Sequence, residues 1–170
     1  NHEIKFVTAT GVTAGQNLTI TFASDFTGVS SIAHGDVDFA TGSSNNCTSA
    51  TFTEQTLGAS ASGSTWGVSS SGQVVTITSG TGTVTADRCV RIKIGTNASS
   101  QTTGTNQITN GPVDDDDYIT IGGSFGDSGV AIVDIITDDQ VIVTATVDPT
   151  LTFTISDNTI GFGTLSSSAA

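Results

Sequence analysis

Residues 73–78 read Gln-Val-Val-Thr-Ile-Thr, and the nearby residues 65–68 read Thr-Trp-Gly-Val. Apolar and polar side chains alternate in both segments, which is the period of a strand with one buried face. Ser69–Gly72 separates them and is rich in turn-forming residues. This stretch therefore predicts two paired strands, and it sets the pattern for the rest of the chain.

The same alternation recurs outward in both directions, beginning with Leu-Thr-Ile-Thr-Phe at residues 18–22. About a dozen short strands are predicted, and no window shows a helical period of 3.6 residues. The composition agrees, because 31 Thr favour strands while 21 Ser and 20 Gly favour turns. We expect an all-β fold, an antiparallel β-sandwich that is either immunoglobulin-like or a jelly-roll. The core is expected to form from Leu18, Ile20, Phe22, Val75, Ile77, Val90, Ile92, Ile119, Ile121, Val141, Val143 and Phe153.

The expected domain organisation is one sandwich over residues 1–148 and a C-terminal strand extension over residues 149–170. Pro149 marks the boundary, because proline lacks a backbone donor and interrupts a strand ladder. A long polar connection, residues 95–113, lies inside the sandwich domain, and a connection of this length indicates a functional or interface element.

The charge balance excludes two classes of partner. Four Lys and Arg face 16 Asp and Glu, a formal net charge of −12. A surface this acidic repels the phosphates of nucleic acids and of anionic lipids. No apolar run approaches the roughly 18 residues of a membrane-spanning helix, so no transmembrane segment is predicted.

The N-terminus suggests export. The chain contains no Met and begins at Asn1. Either a secretory leader has been removed or the sequence starts inside a longer protein. We expect a secreted protein located outside the cell or at its surface.

The two cysteines, Cys47 and Cys89, are expected to form a disulfide, as an even number of cysteines does in an exported β-protein. The alternative is two buried free thiols. Cys89 shares a strand face with Arg91 and Lys93, opposite the apolar positions, so the bridge is expected near the surface unless a bulge changes the face.

Four consecutive carboxylates, Asp114, Asp115, Asp116 and Asp117, form the most concentrated charge. Calcium binds six to eight oxygen ligands of this kind, and Asp127 would join them if its turn shared one end of the sandwich. Calcium is the only cofactor that the sequence suggests. The alternative is a solvated acidic turn.

Three sequons for N-glycosylation begin at Asn17, Asn46 and Asn97. They matter only if the source organism glycosylates exported proteins. Asn97 is the best candidate because it lies in the long connection.

The sequence lacks the groups expected of an enzyme. No Gly-x-Ser-x-Gly motif accompanies the many serines, and the two glutamates form no obvious catalytic pair. His34 stands in Ala-His-Gly-Asp, which is typical of a turn. We therefore expect no enzymatic activity.

Several segments resemble those of secreted, Ser/Thr-rich surface proteins predicted in genomes of uncultivated bacteria. They are residues 94–98, 107–112, 119–129, 143–153 and 160–165. This resemblance covers most of the second half of the chain. It implies export and a β-sandwich, and it implies no activity.

The function expected from these features is a structural subunit of an extracellular filament, pilus or surface layer. Its partner is then another copy of itself, joined when a terminal strand of one subunit completes the sheet of the next. The candidate donor residues are Leu151, Phe153 and Ile155 near the C-terminus, or Ile4 and Phe6 near the N-terminus. The alternative is an adhesin or carbohydrate-binding module, with or without calcium dependence.

Overall fold

A computed structural model of the chain describes residues 1–100, 104–113 and 117–136. The chain separates into two compact units, Asn1–Asp138 and Asp139–Ala170, and every described residue belongs to the first. The expected domain boundary at residue 148 lies outside the described residues. The described strands are β1 (His2–Thr8), β2 (Asn17–Phe22), β3 (Val37–Gly42), β4 (Phe52–Glu54), β5 (Leu57–Gly58), β6 (Trp66–Ser71), β7 (Val74–Thr78), β8 (Arg88–Ile94), β9 (Tyr118–Gly122) and β10 (Gly129–Ile132). Two 3-10 turns, Val29–Ser31 and His34–Asp36, lie between β2 and β3.

The strands form two sheets that pack face to face, which confirms the predicted all-β sandwich. One sheet has four strands in the order β1-β8-β3-β4, and the other has six in the order β10-β9-β2-β7-β6-β5. All described pairings between strands are antiparallel except β5 with β6.

The sequence pattern explains why these segments are strands. Along β2, buried and half-buried residues alternate strictly, with the apolar side chains facing the other sheet and Thr19 and Thr21 facing outward. β6 and β7 pair as the opening segment predicts, but β6 continues to Ser71. The turn is therefore tighter than expected, and Gly72 supplies the positive φ of 55° that it needs.

The core lies between the sheets and contains the expected residues from β2, β7, β8 and β9, except that Ile121 is only partly buried and packs against it. It also contains Trp66, which is fully buried with its ring centroid 4.6 Å from that of Phe39. The three expected core residues Val141, Val143 and Phe153 lie outside the described residues.

β3 departs from simple alternation, because five of its six residues are buried. Val37 and Phe39 face the core, whereas Asp38 and Ala40 face outward beneath other parts of the chain. The covering segment near Asp38 belongs to the long connection, residues 95–113, which forms no described strand.

Candidate functional site

An apolar groove opens where the two sheets end, between β1 and β10. One part of it, a cavity of about 250 Å³, is lined by residues of β1 (residues 3–5), by Ile119 and Ile121 of β9, and by Ala131 and Val133. A neighbouring cavity of about 150 Å³ lies between Phe6–Val7 and residues 127–129. The groove therefore follows the length of β1.

The core is incompletely covered along this groove. Ile4, Phe6, Ile121 and Val133 pack against the core but are only partly buried. Elsewhere the core-facing positions of central strands are closed, as at Leu18 and Ile77, which are 0% exposed. Apolar side chains that remain accessible at the edge of a sandwich mark a surface able to bind another apolar element.

Both strands that flank the groove are terminal in their sheets. β1 pairs with β8 alone and β10 pairs with β9 alone among the described residues. Each therefore carries a row of backbone N–H and C=O groups that no described strand uses. Such an edge is a template for an added strand.

β1 itself is fastened at both ends. Asn1 Oδ1 accepts hydrogen bonds from the backbone N–H and the hydroxyl of Thr96 at 2.8 and 3.0 Å. Asn97 Nδ2 donates to the carbonyl of His2 at 3.1 Å. At the other end, the hydroxyl of buried Thr8 donates to Asp127 at 2.6 Å. Ile4 and Phe6, the candidate N-terminal donor residues, thus belong to a well-anchored strand.

Asp127 is the residue that joins the end of β1 to the loop between β9 and β10. Burial would raise the pKa of its carboxyl, but hydrogen bonds from Thr8 and Thr10 outweigh burial and lower the pKa. The carboxylate therefore remains charged and closes one end of the groove.

Of the five candidate calcium ligands, the structure describes Asp117 and Asp127, which lie beyond opposite ends of β9. Asp117 immediately precedes β9 and Asp127 lies five residues after it, so the strand separates them by roughly 16 Å. Asp114, Asp115 and Asp116 lie outside the described residues. Among the described residues, no group of three or more His, Cys, Asp or Glu is placed to hold a metal ion.

The long connection is held on β3 by two buried carboxylates, Asp36 and Asp38. Asp36 accepts hydrogen bonds from the backbone N–H groups of Ala33, Thr105 and Asn106 and from the side chain of Asn106. Burial would raise the pKa of Asp36, but these hydrogen bonds outweigh it and lower the pKa to about 2.

Asp38 fastens the preceding part of the connection, because both of its oxygens accept from the backbone N–H of Ser100 at 3.1–3.2 Å. Neither aspartate is predicted from the sequence to have this role. The only signal was their position, since two carboxylates flank Val37 at the start of an apolar strand.

The expected disulfide is present between Cys47 and Cys89, with their Cα atoms 5.4 Å apart. Cys89 lies on the outer face of the four-stranded sheet, as predicted, yet it is 0% exposed. The loop after β3 covers it, and the Cys89 N–H donates to the carbonyl of Ser44 in that loop. The bridge therefore lies outside the core, with Cys89 buried and Cys47 half-buried.

The three sequon asparagines differ in their surroundings. Asn17 is half-buried and accepts a hydrogen bond from Ser124, and Asn97 is half-buried and donates its Nδ2 to His2. Asn46 is exposed, and no described residue bonds its Nδ2, the atom that carries a glycan. This placement favours Asn46 over Asn97 as a glycosylation site.

Comparisons with protein-family models, with curated proteins and with solved structures find no match to this chain. Within the described ranges, no helix is long and apolar enough to cross a membrane.

Proposed function

We propose that the chain is a structural subunit of an extracellular filament, pilus or surface layer that assembles from copies of itself. In this proposal, a strand from one subunit fills the groove between β1 and β10 of the next. The observation that carries the proposal is the groove itself, which leaves core-facing apolar residues accessible beside a strand edge that no described strand pairs with.

β1 offers suitable backbone groups to an added strand. Cys89 and Gly95 donate their N–H groups to carbonyls on the β3 side of β8. Because bonding direction alternates along an antiparallel strand, the even-numbered residues of β8 bond to β1. Glu3, Lys5 and Val7 therefore direct their backbone groups toward the open edge.

The anchoring of β1 supports its role as the acceptor rather than the donor. Releasing it would break seven register pairs with β8 and the side-chain hydrogen bonds at both ends. We therefore place the donor in Thr150–Leu165, which lies outside the described residues. This segment follows Pro149, a natural point for a strand to leave its ladder.

The proposed donor has the composition that the groove requires. Leu151, Phe153 and Ile155 occupy alternate positions, so one face of an extended strand carries all three. Burying them contributes roughly 5 to 9 kcal/mol before the cost of ordering the segment. Thr152 and Thr154 would face outward beside the charged side chains of β1.

The disulfide supports an extracellular setting for this assembly. Bridges of this kind persist in oxidising compartments and are rare in the cytosol. An assembly exposed to the environment also benefits from a cross-link that restricts the unfolded chain.

The proposal is tested by deleting Thr150–Ala170 and imaging the purified protein by negative-stain electron microscopy. We expect the full chain to form filaments or sheets and the deletion variant to form discrete particles. Deleting only residues 166–170, which lie beyond the proposed donor, is the matched control and should leave assembly intact. Normal polymers from the longer deletion would refute strand donation by this segment.

A further inference from the structure

β10, one of the two terminal strands of the six-stranded sheet, is apolar and exposed. All four residues of β10 are exposed, and Val130 and Ile132 are 66% and 76% exposed. Both side chains lie on the outer face of the sheet, because Ile132 is directly opposite the exposed Tyr118 and Val130 is opposite Thr120. This outer surface is separate from the groove, which the inward residues Ala131 and Val133 line.

The backbone of β10 is available at these same positions. Val133 donates its N–H to the carbonyl of Asp117 on the β9 side at 2.8 Å. Alternation along an antiparallel strand then directs the backbone groups of Ala131 toward β9 and those of Val130 and Ile132 away from it. No strand among the described residues pairs with those groups.

Charge distinguishes β10 from β1. β1 carries Glu3 and Lys5 on its outer face, and charged side chains of this kind discourage edge-to-edge pairing. Residues 128–133 contain no charged side chain in a molecule whose net charge is −12. Two copies that meet at β10 therefore bring no charged side chain of residues 128–133 into contact.

We propose that β10 pairs antiparallel with β10 of a second copy, so that the six-stranded sheets of two molecules continue across a twofold axis. A twofold axis requires the same edge from both partners and an antiparallel arrangement. This contact goes beyond the proposed strand donation because it uses the other edge strand and a different segment.

The favoured register places Ala131 on the twofold axis. Val130 of one copy then lies opposite Ile132 of the other, and the two residues exchange the unused backbone hydrogen bonds. The same register sets Asp134, the next carboxylate along the chain, opposite Ser128 of the other copy. The two Asp134 carboxylates are then roughly 20 Å apart, which exceeds the screening length of about 8 Å at physiological salt.

The test uses the full-length chain carrying Phe153→Asp, which removes the proposed strand donation, and measures mass by analytical ultracentrifugation over a concentration series. We expect a monomer–dimer equilibrium. Ile132→Lys should weaken it by about tenfold or more, because the pairing would lose both Val130–Ile132 cross-strand contacts and a charged side chain at an edge discourages strand pairing. Thr53→Lys places the same charge at an exposed residue of β4, which is terminal in the four-stranded sheet, and it should leave the equilibrium unchanged.

A second measurement fixes the register. In the same background, Ala131→Cys should form a disulfide-linked dimer under mild oxidation, since residues facing each other at the axis have Cα atoms about 4.5 Å apart. Ile132→Cys should not cross-link to itself.

Three results would overturn the proposal. They are a monomer at every concentration, an equal effect of Thr53→Lys and Ile132→Lys, or a cross-link from residue 132 to a cysteine placed in residues 141–147 of the same chain. The last result would mean that the chain's own next segment covers β10. Because donation is already disabled in this background, failure here leaves the proposed function to its own test.

Discussion

Replacing Asp36 with asparagine is expected to destabilise the fold at neutral pH and to make its stability less dependent on acid. The ordinary pKa of this carboxyl is 3.8, and in the fold it is about 2. That difference corresponds to about 2 kcal/mol of stability carried by the ionised form. Asparagine keeps the size of the side chain but loses the charge that attracts the N–H groups of Thr105 and Asn106.

The sign of the pH dependence follows from the lowered pKa. The unfolded chain takes up a proton on Asp36 near pH 4, whereas the folded chain does so only near pH 2, so acid favours unfolding. The contribution of Asp36 is complete above about pH 5 and is lost as the pH falls toward 2. The wild-type advantage over Asp36→Asn should therefore be about 2 kcal/mol larger at about pH 6 than at about pH 2.

The assay is urea denaturation followed by the fluorescence of Trp66, the single and fully buried tryptophan. Asp87→Asn is the matched control, because Asp87 is exposed and its positive φ of 58° suits asparagine equally well. Its free energy of unfolding should follow that of the wild type at every pH. If the difference in free energy of unfolding between wild type and Asp36→Asn is the same at about pH 6 and at about pH 2, the proposed role of the carboxylate is wrong.

Three further changes test other parts of the structure. Gly82→Ala should destabilise the fold by about 1 to 3 kcal/mol in urea denaturation, because the added Cβ would lie 2.5 Å from the Trp66 indole nitrogen. Gly129→Ala is the control and should be nearly neutral, because its added Cβ meets nothing within 4 Å. The double variant Cys47→Ala, Cys89→Ala should lose about 4 kcal/mol of unfolding free energy, because the disulfide no longer restricts the unfolded chain. Denatured wild-type protein without reductant should not react with a maleimide, and labelling of both cysteines would exclude the bridge. A calcium site at Asp114–Asp117 would stabilise the fold by about 2.7 kcal/mol at a free concentration of 100 times Kd, and identical melting curves in chelator and in excess calcium would argue against it.

Local alternation was sufficient to predict the sandwich and most of its core. The apolar residues of β2, β7 and β8 occupy alternate positions in the sequence, and each faces the other sheet in the fold. When one face of a strand is buried, apolar residues recur at every second position. This alternation is visible in the sequence without knowing which strands pair. The pairing of β6 with β7 was predictable for the same reason, since a short turn joins them.

The end of the groove and the long connection are held by hydrogen bonds between distant parts of the chain. In the fold, Asp127 accepts a hydrogen bond from Thr8, which is 119 residues away in sequence, and no sequence pattern indicates this contact. Asp36 holds a connection 69 or 70 residues further along. The order of strands within a sheet determines which strands lie at its edges. The alternation of apolar and polar side chains along each strand contains no information about that order.

The central claim, that one subunit donates a strand to the groove of another, is tested most directly by a cross-link formed in trans. One variant carries Val133→Cys in the groove, and a second carries Phe153→Cys in the proposed donor. The two proteins are purified separately, unfolded, mixed, refolded together and mildly oxidised. The account predicts a disulfide-linked heterodimer that carries one copy of each variant. Absence of this heterodimer, together with a cross-link inside a single chain that carries both cysteines, would contradict it.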